Sequence, residues 1–145
     1  HLRNRRQRQM CIRDRFTPIQ VAAASALSSD PSTIAKVREV YKKRRNVLVD
    51  AMSKAGWEIP SPDATMFAWA PIPEKFRSLG SLEFSKVLLK EADISVAPGI
   101  GFGEYGENFV RIGLVENEHR IRQAARNIKA VFTKADKILS DHSPN

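Results

Sequence analysis

Cysteine and long apolar runs are nearly absent from this sequence. Its single cysteine, Cys11, cannot build a disulfide framework or a cysteine-based metal site, so we expect a reducing, cytoplasmic setting. No apolar run approaches the roughly 20 residues that span a membrane, and we expect no membrane partner. Internal repeats and low-complexity linkers are also missing. What remains is a sequence of 145 residues with ordinary composition, enough for one globular domain with its own core.

The residue patterns of common hydrolytic sites are missing too. His119 falls in the first turn of a predicted helix, and His142 lies close to the last residue of the sequence. No serine–histidine–aspartate arrangement and no pair of carboxylates follows from the spacing. We therefore expect no metal ligands and no complete catalytic set in this sequence.

Positive charge is unevenly distributed along the chain. Residues 1–15 contain six arginines and one acidic residue, a net charge of +5 within a total of +8. The remainder is close to neutral for its size, so the composition does not favour nucleic-acid binding. We expect the basic cluster Lys42–Arg45 to be a solvated helix face. Two alternatives stay open: a small basic nucleic-acid-binding module that uses both basic segments, and a free-standing interaction domain.

The basic segment at residues 1–15 has a second peculiarity. Its run Arg5–Asp14, RRQRQMCIRD, resembles the conceptual translation of a transposase adapter used to prepare sequencing libraries. On that interpretation residues 1–15 are a non-native, disordered scar without a biological role. The other interpretations are a basic arm that binds phosphates and an ordinary disordered terminus.

Apolar periodicity and capping residues predict the secondary structure from residue 16 onward. Thr17, followed by Pro18 and Gln20, has the pattern of a helix N-cap. The expected helices and strands are helices at Thr17–Leu27, Asp30–Gly56, Ser81–Ala92 and Asn117–Phe132, and strands at Ala64–Ala70, Ile94–Ala97 and Phe109–Leu114. This order predicts an α/β (α+β) fold, a short sheet with helices mainly on one face.

Aromatic residues indicate where the core lies. The strand at Ala64–Ala70 is expected to be buried together with Met66, Phe67 and Trp69. Trp57, just before it, is expected to belong to the core as well. Aromatic residues at strand spacing are more typical of a core than of a stacking surface for nucleic-acid bases.

Three glycines before the last strand spell a nucleotide-binding pattern. Gly101, Gly103 and Gly106 match G-x-G-x-x-G, in which a helix must open at the third glycine because the pyrophosphate rests on its N-terminus. Here the predicted strand Phe109–Leu114 follows instead. The pattern therefore indicates a tight reversal with positive φ rather than dinucleotide binding.

Arg111 is a charged residue in the middle of a predicted strand. Val110 and Ile112 fall on one face of that strand and Arg111 on the other. A guanidinium stays charged and is costly to desolvate, so it should face an anion or solvent, and its planar fork suits a carboxylate. The pattern alone leaves open a local ion pair, for example with Glu116, or exposure to water.

Several motifs resemble one enzyme family. The run Pro98–Phe132, PGIGFGEYGENFVRIGLVENEHRIRQAARNIKAVF, is similar to the C-terminal end of class I/II, fold type I aminotransferases, which depend on pyridoxal 5'-phosphate (PLP). The segments FTPIQVAAASAL, ATMFAWAPIPEKF and GSLEFSKVLLKEADISVAPGIGFGEYG match in the same order, so the likeness runs from Phe16 to about Phe132. Within the family the resemblance is to the bacterial alanine (glutamate–pyruvate) transaminase branch, which is close to the diaminopimelate aminotransferases.

The resemblance implies an activity and a site. Such enzymes are homodimers that use PLP to move an amino group between an L-amino acid, here of alanine or glutamate type, and a 2-oxo acid. The resemblance implies that Arg111 binds the α-carboxylate of the substrate and that Phe67 lines the substrate pocket. It also implies that Thr17 contacts the cofactor phosphate of the partner subunit, although the residue pattern at Thr17 favours a plain capping role.

The same resemblance sets the expected domain boundaries. Residues 16–56 would be the helical segment that links a large cofactor domain to a small one, residues 57–135 the small C-terminal domain, and residues 136–145 a frayed tail. The Schiff-base lysine of the family belongs to the large domain, upstream of Phe16. We therefore expect a fragment that has no catalytic residues of its own, is inactive alone and exposes apolar surface along the long helix.

Overall fold

The computed structural model describes residues 16–141 of the chain. The helices are α1 Thr17–Ser28, α2 Ser32–Lys54, α3 Gly80–Ala92, α4 Glu118–Thr133 and α5 Ala135–Asp141. The strands are β1 Phe67–Pro71, β2 Ala97–Pro98 and β3 Phe109–Gly113, and 3₁₀ turns lie at Glu74–Leu79, Gly99–Phe102 and Glu104–Gly106. The predicted class, helices combined with a short sheet, is confirmed. Two sequence expectations, the disordered scar at residues 1–15 and the role of His142, lie outside the described residues.

The chain divides into two compact units between Lys36 and Val37. α1 and the first residues of α2 belong to the first unit, and the other elements belong to the second. The boundary that the sequence analysis expects at Gly56 stays a prediction. Leu48 and Met52 are both buried in the core of the second unit, to which the C-terminal half of α2 belongs.

The N-cap predicted at Thr17 is wrong by one residue. The N-cap of α1 is Phe16, whose carbonyl oxygen accepts the backbone N–H groups of Ile19 at 3.0 Å and Gln20 at 3.4 Å, and no side chain caps this end. Pro18 is then the second helical residue, where its missing N–H costs nothing because first-turn donors have no partner within the helix. None of the residues of α1 is buried.

Asp30, at which the sequence analysis begins the long helix, caps α2. Its Oδ1 accepts the backbone N–H of Ser32 at 3.0 Å, and its Oδ2 accepts the Ser32 hydroxyl at 2.6 Å. The hydroxyl first, and the backbone N–H second, hold the pKa of Asp30 below its ordinary value because they stabilise the carboxylate. The helix ends at Lys54, two residues before Gly56, whose φ of +87° is a conformation that glycine adopts without strain.

Apolar side chains along the N-terminal half of α2 are exposed, as the sequence analysis expects. The side chains of Ile34, Val37 and Val40 are 67%, 52% and 44% exposed. Leu48 and Met52, further along the helix, are each 2% exposed. Burial of apolar side chains along α2 is therefore confined to its C-terminal half.

The second unit contains a three-stranded antiparallel sheet in the order β1-β3-β2. β1 pairs with β3 over five residues, with Trp69 opposite Arg111. β2 adds two pairs, one of them between Ala97 and Arg111. Arg111 therefore lies in the central strand with a neighbouring strand on each side.

The outer strands are shorter than predicted. β1 begins at Phe67 rather than Ala64, because the chain bends before it and Thr65 has a φ of +72°. β2 begins at Ala97 rather than Ile94, and both of its residues pair with β3.

Within the second unit, the helices pack on one face of the sheet. Ala68, Ala70 and Val110 point to that face, and each is 0% exposed within the hydrophobic core. Trp57 is confirmed as a core residue, since it is 1% exposed and its Nε1–H donates to the carbonyl oxygen of Pro71 at 2.7 Å. The rings that contact each other in this core are those of Trp57, Phe76, Phe84 and Phe132.

The two large side chains of β1, Phe67 and Trp69, lie on the side of the sheet opposite the core. The expected burial of Met66, Phe67 and Trp69 is wrong, because these side chains are 42%, 38% and 39% exposed. A strand alternates its side chains between two faces. Since Ala68 and Ala70 occupy the covered face, Phe67 and Trp69 must occupy the other.

The C-terminal helix matches the sequence, and a second, short helix follows it. The side chain of Asn117 caps α4 by accepting the backbone N–H of Arg120 at 3.0 Å. Residues 135–141, most of which fall in the segment 136–145 that the sequence analysis expects to fray, form α5, in which Ala135 and Ile138 are 2% and 7% exposed. The spacing of these two residues gives the short helix an apolar face to bury.

The basic cluster Lys42–Arg45 is not a uniformly solvated face. Its two lysines are exposed and its two arginines are half-buried. The guanidinium of Arg44 donates to the carbonyl oxygens of Leu114 at 3.2 Å and Val115 at 2.9 Å. Arg44 thus fastens α2 to the chain just after β3, and the cluster does not present four unoccupied cations to a nucleic acid. Within residues 16–141, every helix is too short or too polar to cross a membrane.

Candidate functional site

Arg111 projects from the middle of β3 on the side of the sheet opposite the core. Its guanidinium carbon lies 4.3 Å from the centre of the Phe67 ring and 4.4 Å from the centre of the Phe102 ring. Each such cation–π contact is worth about 0.5–1 kcal/mol at an exposed site. The two rings therefore restrict the directions in which the guanidinium points.

Further rings extend this surface, which we call the aromatic face and define as Phe67, Trp69, Phe102, Phe109 and Arg111. Trp69 stacks on Phe109 with ring centres 6.0 Å apart and planes 7° apart, and it meets Phe102 edge-on at 5.5 Å. These rings are partly exposed, with Phe102 the most accessible at 51%. The aromatic face thus combines accessible apolar surface with one positive charge.

The guanidinium of Arg111 is available for an external anion. Among residues 16–141 it makes no ion pair with a carboxylate, so the local pair with Glu116 that the sequence left open is not formed. Its N–H donors likewise make no hydrogen bond within the described residues. A planar guanidinium with unoccupied donors binds a carboxylate in bidentate contact.

An open cleft lies beside Arg111. Its volume is about 700 Å³, and Arg111 and Phe67 both line it. Helix α4 contributes the polar side chains of Arg120, Gln123 and Asn127. The rest of its lining includes core residues such as Leu48, Met52 and Trp57, and of the aromatic face only Phe67 and Arg111 line it.

The turn before β3 carries Phe102 to the guanidinium. Gly99 and Gly106 approach so closely that a Cβ on either residue would overlap the backbone of the other. The positive φ expected at the glycines is found here only at Gly103, at +119°. No helix opens at Gly106, because β3 begins three residues later, so the helix that a dinucleotide fingerprint requires is missing.

The same turn is fastened to the start of α3. Ser81, at which the sequence analysis begins this helix, is the second residue of α3. Glu107 supplies the cap: its Oε1 accepts the backbone N–H of Ser81 and its Oε2 accepts the Ser81 hydroxyl, both at 3.0 Å. The Ser81 oxygen in turn accepts the backbone N–H of Ile100 at 3.1 Å. Glu107 was missed in the sequence because its partner lies 26 residues away and no local pattern marks it.

The structure brings together two of the three site residues predicted from the sequence. Arg111 and Phe67 are in contact, whereas Thr17 is an exposed residue at the start of α1, in the other unit. His119 is exposed on α4, as expected. Within the described part of the chain, no group of three or more histidine, cysteine, aspartate or glutamate side chains could hold a metal ion.

Comparison with known proteins decides the family. Residues 2–128 match the family described as aminotransferase class I and II. The chain belongs to the class I and II aminotransferases. It is 66% identical to AatC of Rhizobium meliloti and 53% identical to the glutamate-pyruvate aminotransferase AlaC of Escherichia coli, in each case over 124 residues and 86% of this chain. It spans 31% and 30% of these two relatives, less than a third of their length.

Solved structures similar to this aminotransferase chain share its fold. BacF of Bacillus subtilis superimposes with a TM-score of 0.72 at 34% identity, and an aromatic aminotransferase of Pyrococcus horikoshii with 0.71 at 30% identity. Each match covers 81% of this chain, and 30% and 32% of the respective structures. The predicted family and fold type are therefore confirmed. The family match starts at residue 2 and so includes most of residues 1–15, whose origin as a scar stays a prediction.

Class I and II aminotransferases are generally PLP-dependent, but residues 16–141 do not fit a covalent PLP site. Every lysine in this range is exposed, and Lys54 and Lys86 are paired with Asp50 and Glu83. None of these lysines lines the cleft beside Arg111. A Schiff base requires a lysine amine at the cofactor. No lysine of residues 16–141 is placed beside Arg111 for that purpose.

Proposed function

We propose that this chain supplies the substrate-carboxylate site of a PLP-dependent aminotransferase of alanine or glutamate type. The observation that carries the proposal is the guanidinium of Arg111, which lies between Phe67 and Phe102 and has no carboxylate partner among residues 16–141. The 53% identity to the glutamate-pyruvate aminotransferase AlaC supports the substrate class. The amino acid and the 2-oxo acid of such a reaction both carry a carboxylate next to the reacting carbon, and this is the group that a guanidinium recognises.

The task of Arg111 in this reaction is binding and orientation. Two parallel N–H···O contacts to the carboxylate fix the position of the adjacent carbon, which brings the reacting groups into register. The contacts with the Phe67 and Phe102 rings restrict the orientation of the guanidinium. The rings also lower the local dielectric constant, which strengthens the attraction of the guanidinium for an anion. PLP, when bound in the complete enzyme, supplies the electron sink.

We also propose that the lysine that binds the cofactor lies outside this chain. Two observations support this: the lysines of residues 16–141 are all exposed, and the chain spans less than a third of AatC and AlaC. The 145-residue chain is then inactive alone. The proposal predicts that PLP added to it gives no absorbance band of a covalent adduct that an amino acid removes, and the appearance of such a band would refute the proposal.

Three remaining features of the proposal rest on the family likeness. They are homodimer assembly of the full-length protein, contact of Thr17 with the cofactor phosphate of the partner subunit, and a cytoplasmic location. Replacing Thr17 with valine removes the hydroxyl and keeps the shape, so it should weaken PLP binding to the full-length protein if that contact exists. Unchanged PLP affinity would leave Thr17 as an ordinary helix residue.

Steady-state kinetics of the full-length protein test the role of Arg111. Removing one side of a desolvated charged contact costs about 2–5 kcal/mol, equivalent to about thirtyfold to several-thousand-fold in affinity. Arg111→Ala should therefore lower kcat/KM for alanine and glutamate by at least about thirtyfold. Arg122→Ala is the matched control, because Arg122 is exposed on α4 and does not line the cleft beside Arg111. Unchanged kinetics in Arg111→Ala would refute the proposed role.

A further inference from the structure

A part-buried hydrogen-bond relay leads from Glu107 to the turn that carries Phe102 to Arg111. Glu107 accepts both the backbone N–H and the hydroxyl of Ser81, and the Ser81 oxygen accepts the N–H of Ile100. Ile100 belongs to the 3₁₀ turn Gly99–Phe102, two residues before the ring that lies over the guanidinium. The relay is therefore connected to the aromatic face through one short, tightly wound turn.

The serine in this relay has no freedom to reorient. Ser81 is 0% exposed, so water does not compete for its hydroxyl. That hydroxyl has one proton, which it donates to Glu107, and its oxygen accepts the N–H of Ile100. Rotating the hydroxyl would leave a buried donor or acceptor unsatisfied, at a cost that the folded state avoids.

The residues around Glu107 also fix the position of its carboxylate. A Cβ on Gly80 would overlap Oε1 of Glu107, so only glycine leaves room for the carboxylate there. Gly80 has a φ of +72°, which glycine adopts without strain. The carboxylate faces the N-terminal end of α3, where a negative charge is favoured by the helix dipole.

We propose that Glu107 and Ser81 are positioning residues for Arg111. They hold the turn Gly99–Phe102 against α3. The contact between the Phe102 ring and the guanidinium of Arg111 depends on this anchorage. The consequence for substrate binding rests on the proposed function, whereas the position of the ring does not.

The position of the ring is measured by NMR on the 145-residue chain. Ring currents of Phe67 and Phe102 displace the Nε–H resonance of Arg111, and Phe102→Leu gives the displacement expected when one ring is lost. Glu107→Ala and Ser81→Ala should move the resonance in the same direction as Phe102→Leu does. Backbone amide spectra establish that each variant is folded.

Two further variants separate positioning from general destabilisation. Glu107→Gln keeps one oxygen to accept the Ser81 N–H, so it should recover part of the original resonance position. Glu104→Ala removes an equal charge from an exposed residue of the adjacent turn that does not contact Ser81, and it should leave the resonance unchanged. A resonance that stays in place in folded Glu107→Ala and Glu107→Gln chains would overturn the proposal.

Kinetics of the full-length protein distinguish this proposal from the proposed function. Glu107→Ala and Phe102→Leu should each raise KM for the amino acid by about threefold to tenfold and change kcat by less than about twofold, because they loosen a binding group and leave the reacting groups in place. An unchanged KM in Glu107→Ala, with a raised KM in Arg111→Ala, would overturn the positioning role alone. A moved resonance with KM unchanged even in Arg111→Ala would support the positioning of the ring and overturn the proposed function.

Discussion

Trp69 lies directly opposite Arg111 in the antiparallel pair of β1 and β3, and both side chains leave the sheet on the side opposite the core. The residues on either side of Trp69, Ala68 and Ala70, are buried against the helices. The pairing of two strands therefore builds the core with one set of side chains and the candidate site with the other. A slip of one residue in the register would exchange the two sets.

The two tryptophans should differ in their effect on stability. Trp57→Phe removes a buried indole that donates to the carbonyl oxygen of Pro71, and we expect the free energy of unfolding to fall by about 2–3 kcal/mol. Trp69→Phe is the matched control, because Trp69 is 39% exposed, and it should cost less than about 1 kcal/mol. Urea denaturation of the two variants checks this, and equal losses would contradict the placement of Trp57 in the core.

Two glycines of the turn before β3 should respond differently to the same substitution. Gly106→Ala places a Cβ against the backbone of Gly99, so we expect a loss of about 1–3 kcal/mol in the free energy of unfolding. Gly101→Ala meets open space, and it should be neutral or stabilising by up to about 1 kcal/mol. Thermal unfolding of both variants measures the difference. Similar values would show that the close approach of Gly99 and Gly106 is not formed.

Arg44 should stabilise the fold and not merely add charge. Arg44→Met keeps most of the side-chain stem and removes the hydrogen bonds to the carbonyl oxygens of Leu114 and Val115, so we expect a loss of about 1–3 kcal/mol. Lys43→Met removes the neighbouring charge, whose ion pair with Glu118 is solvent-exposed on the lysine side, and should cost less than about 1 kcal/mol. Guanidinium denaturation compares the two, and a larger loss in Lys43→Met would contradict this account.

The stability that Asp30 contributes as the cap of α2 should fall as the pH is lowered. Hydrogen bonds from Ser32 hold the pKa of Asp30 below its ordinary value of 3.8, so its contribution is complete well above that value. The contribution is lost as the pH falls through the lower pKa of the folded state, because the unfolded state then binds the proton more readily. Amide exchange in the first turn of α2 should be faster in Asp30→Ala than in wild type at neutral pH.

An acid titration provides the check on the Asp30 prediction. The difference between Asp30→Ala and wild type should shrink as the pH falls below the ordinary pKa of 3.8 and disappear below the lower pKa of the folded state. Asp63→Ala serves as the control, because Asp63 is an exposed carboxylate elsewhere in the chain, and it should leave exchange in α2 unchanged. A difference between Asp30→Ala and wild type that grows as the pH falls would contradict the capping role.

The sequence predicts those elements whose causes are local. The cap at Asn117 and the apolar spacing of α4 depend on residues within a few positions of each other, and both are found in the structure. Arg111 is likewise marked by its own strand, because alternation separates it from Val110 and Ile112. These features need no knowledge of distant parts of the chain.

Other features depend on contacts that no local pattern reveals. Alternation shows that Phe67 and Trp69 share a face of β1, but not which face the helices cover, so their burial was predicted wrongly. Glu107 reaches Ser81 across 26 residues, and its role is visible only once the turn is folded. The sequence places Arg44 in a solvated cluster, because the carbonyl oxygens that it contacts belong to Leu114 and Val115, far along the chain.

The most direct measurement for the central claim combines one substitution with one change of substrate. The full-length protein and its Arg111→Ala variant are each assayed with L-alanine and with alaninamide, in which an uncharged carboxamide replaces the carboxylate. We predict that Arg111→Ala lowers kcat/KM at least about thirtyfold for alanine and less than about threefold for alaninamide, because only alanine offers the charge that the guanidinium binds. An equal loss for both compounds would contradict the assignment of Arg111 as the carboxylate-binding residue.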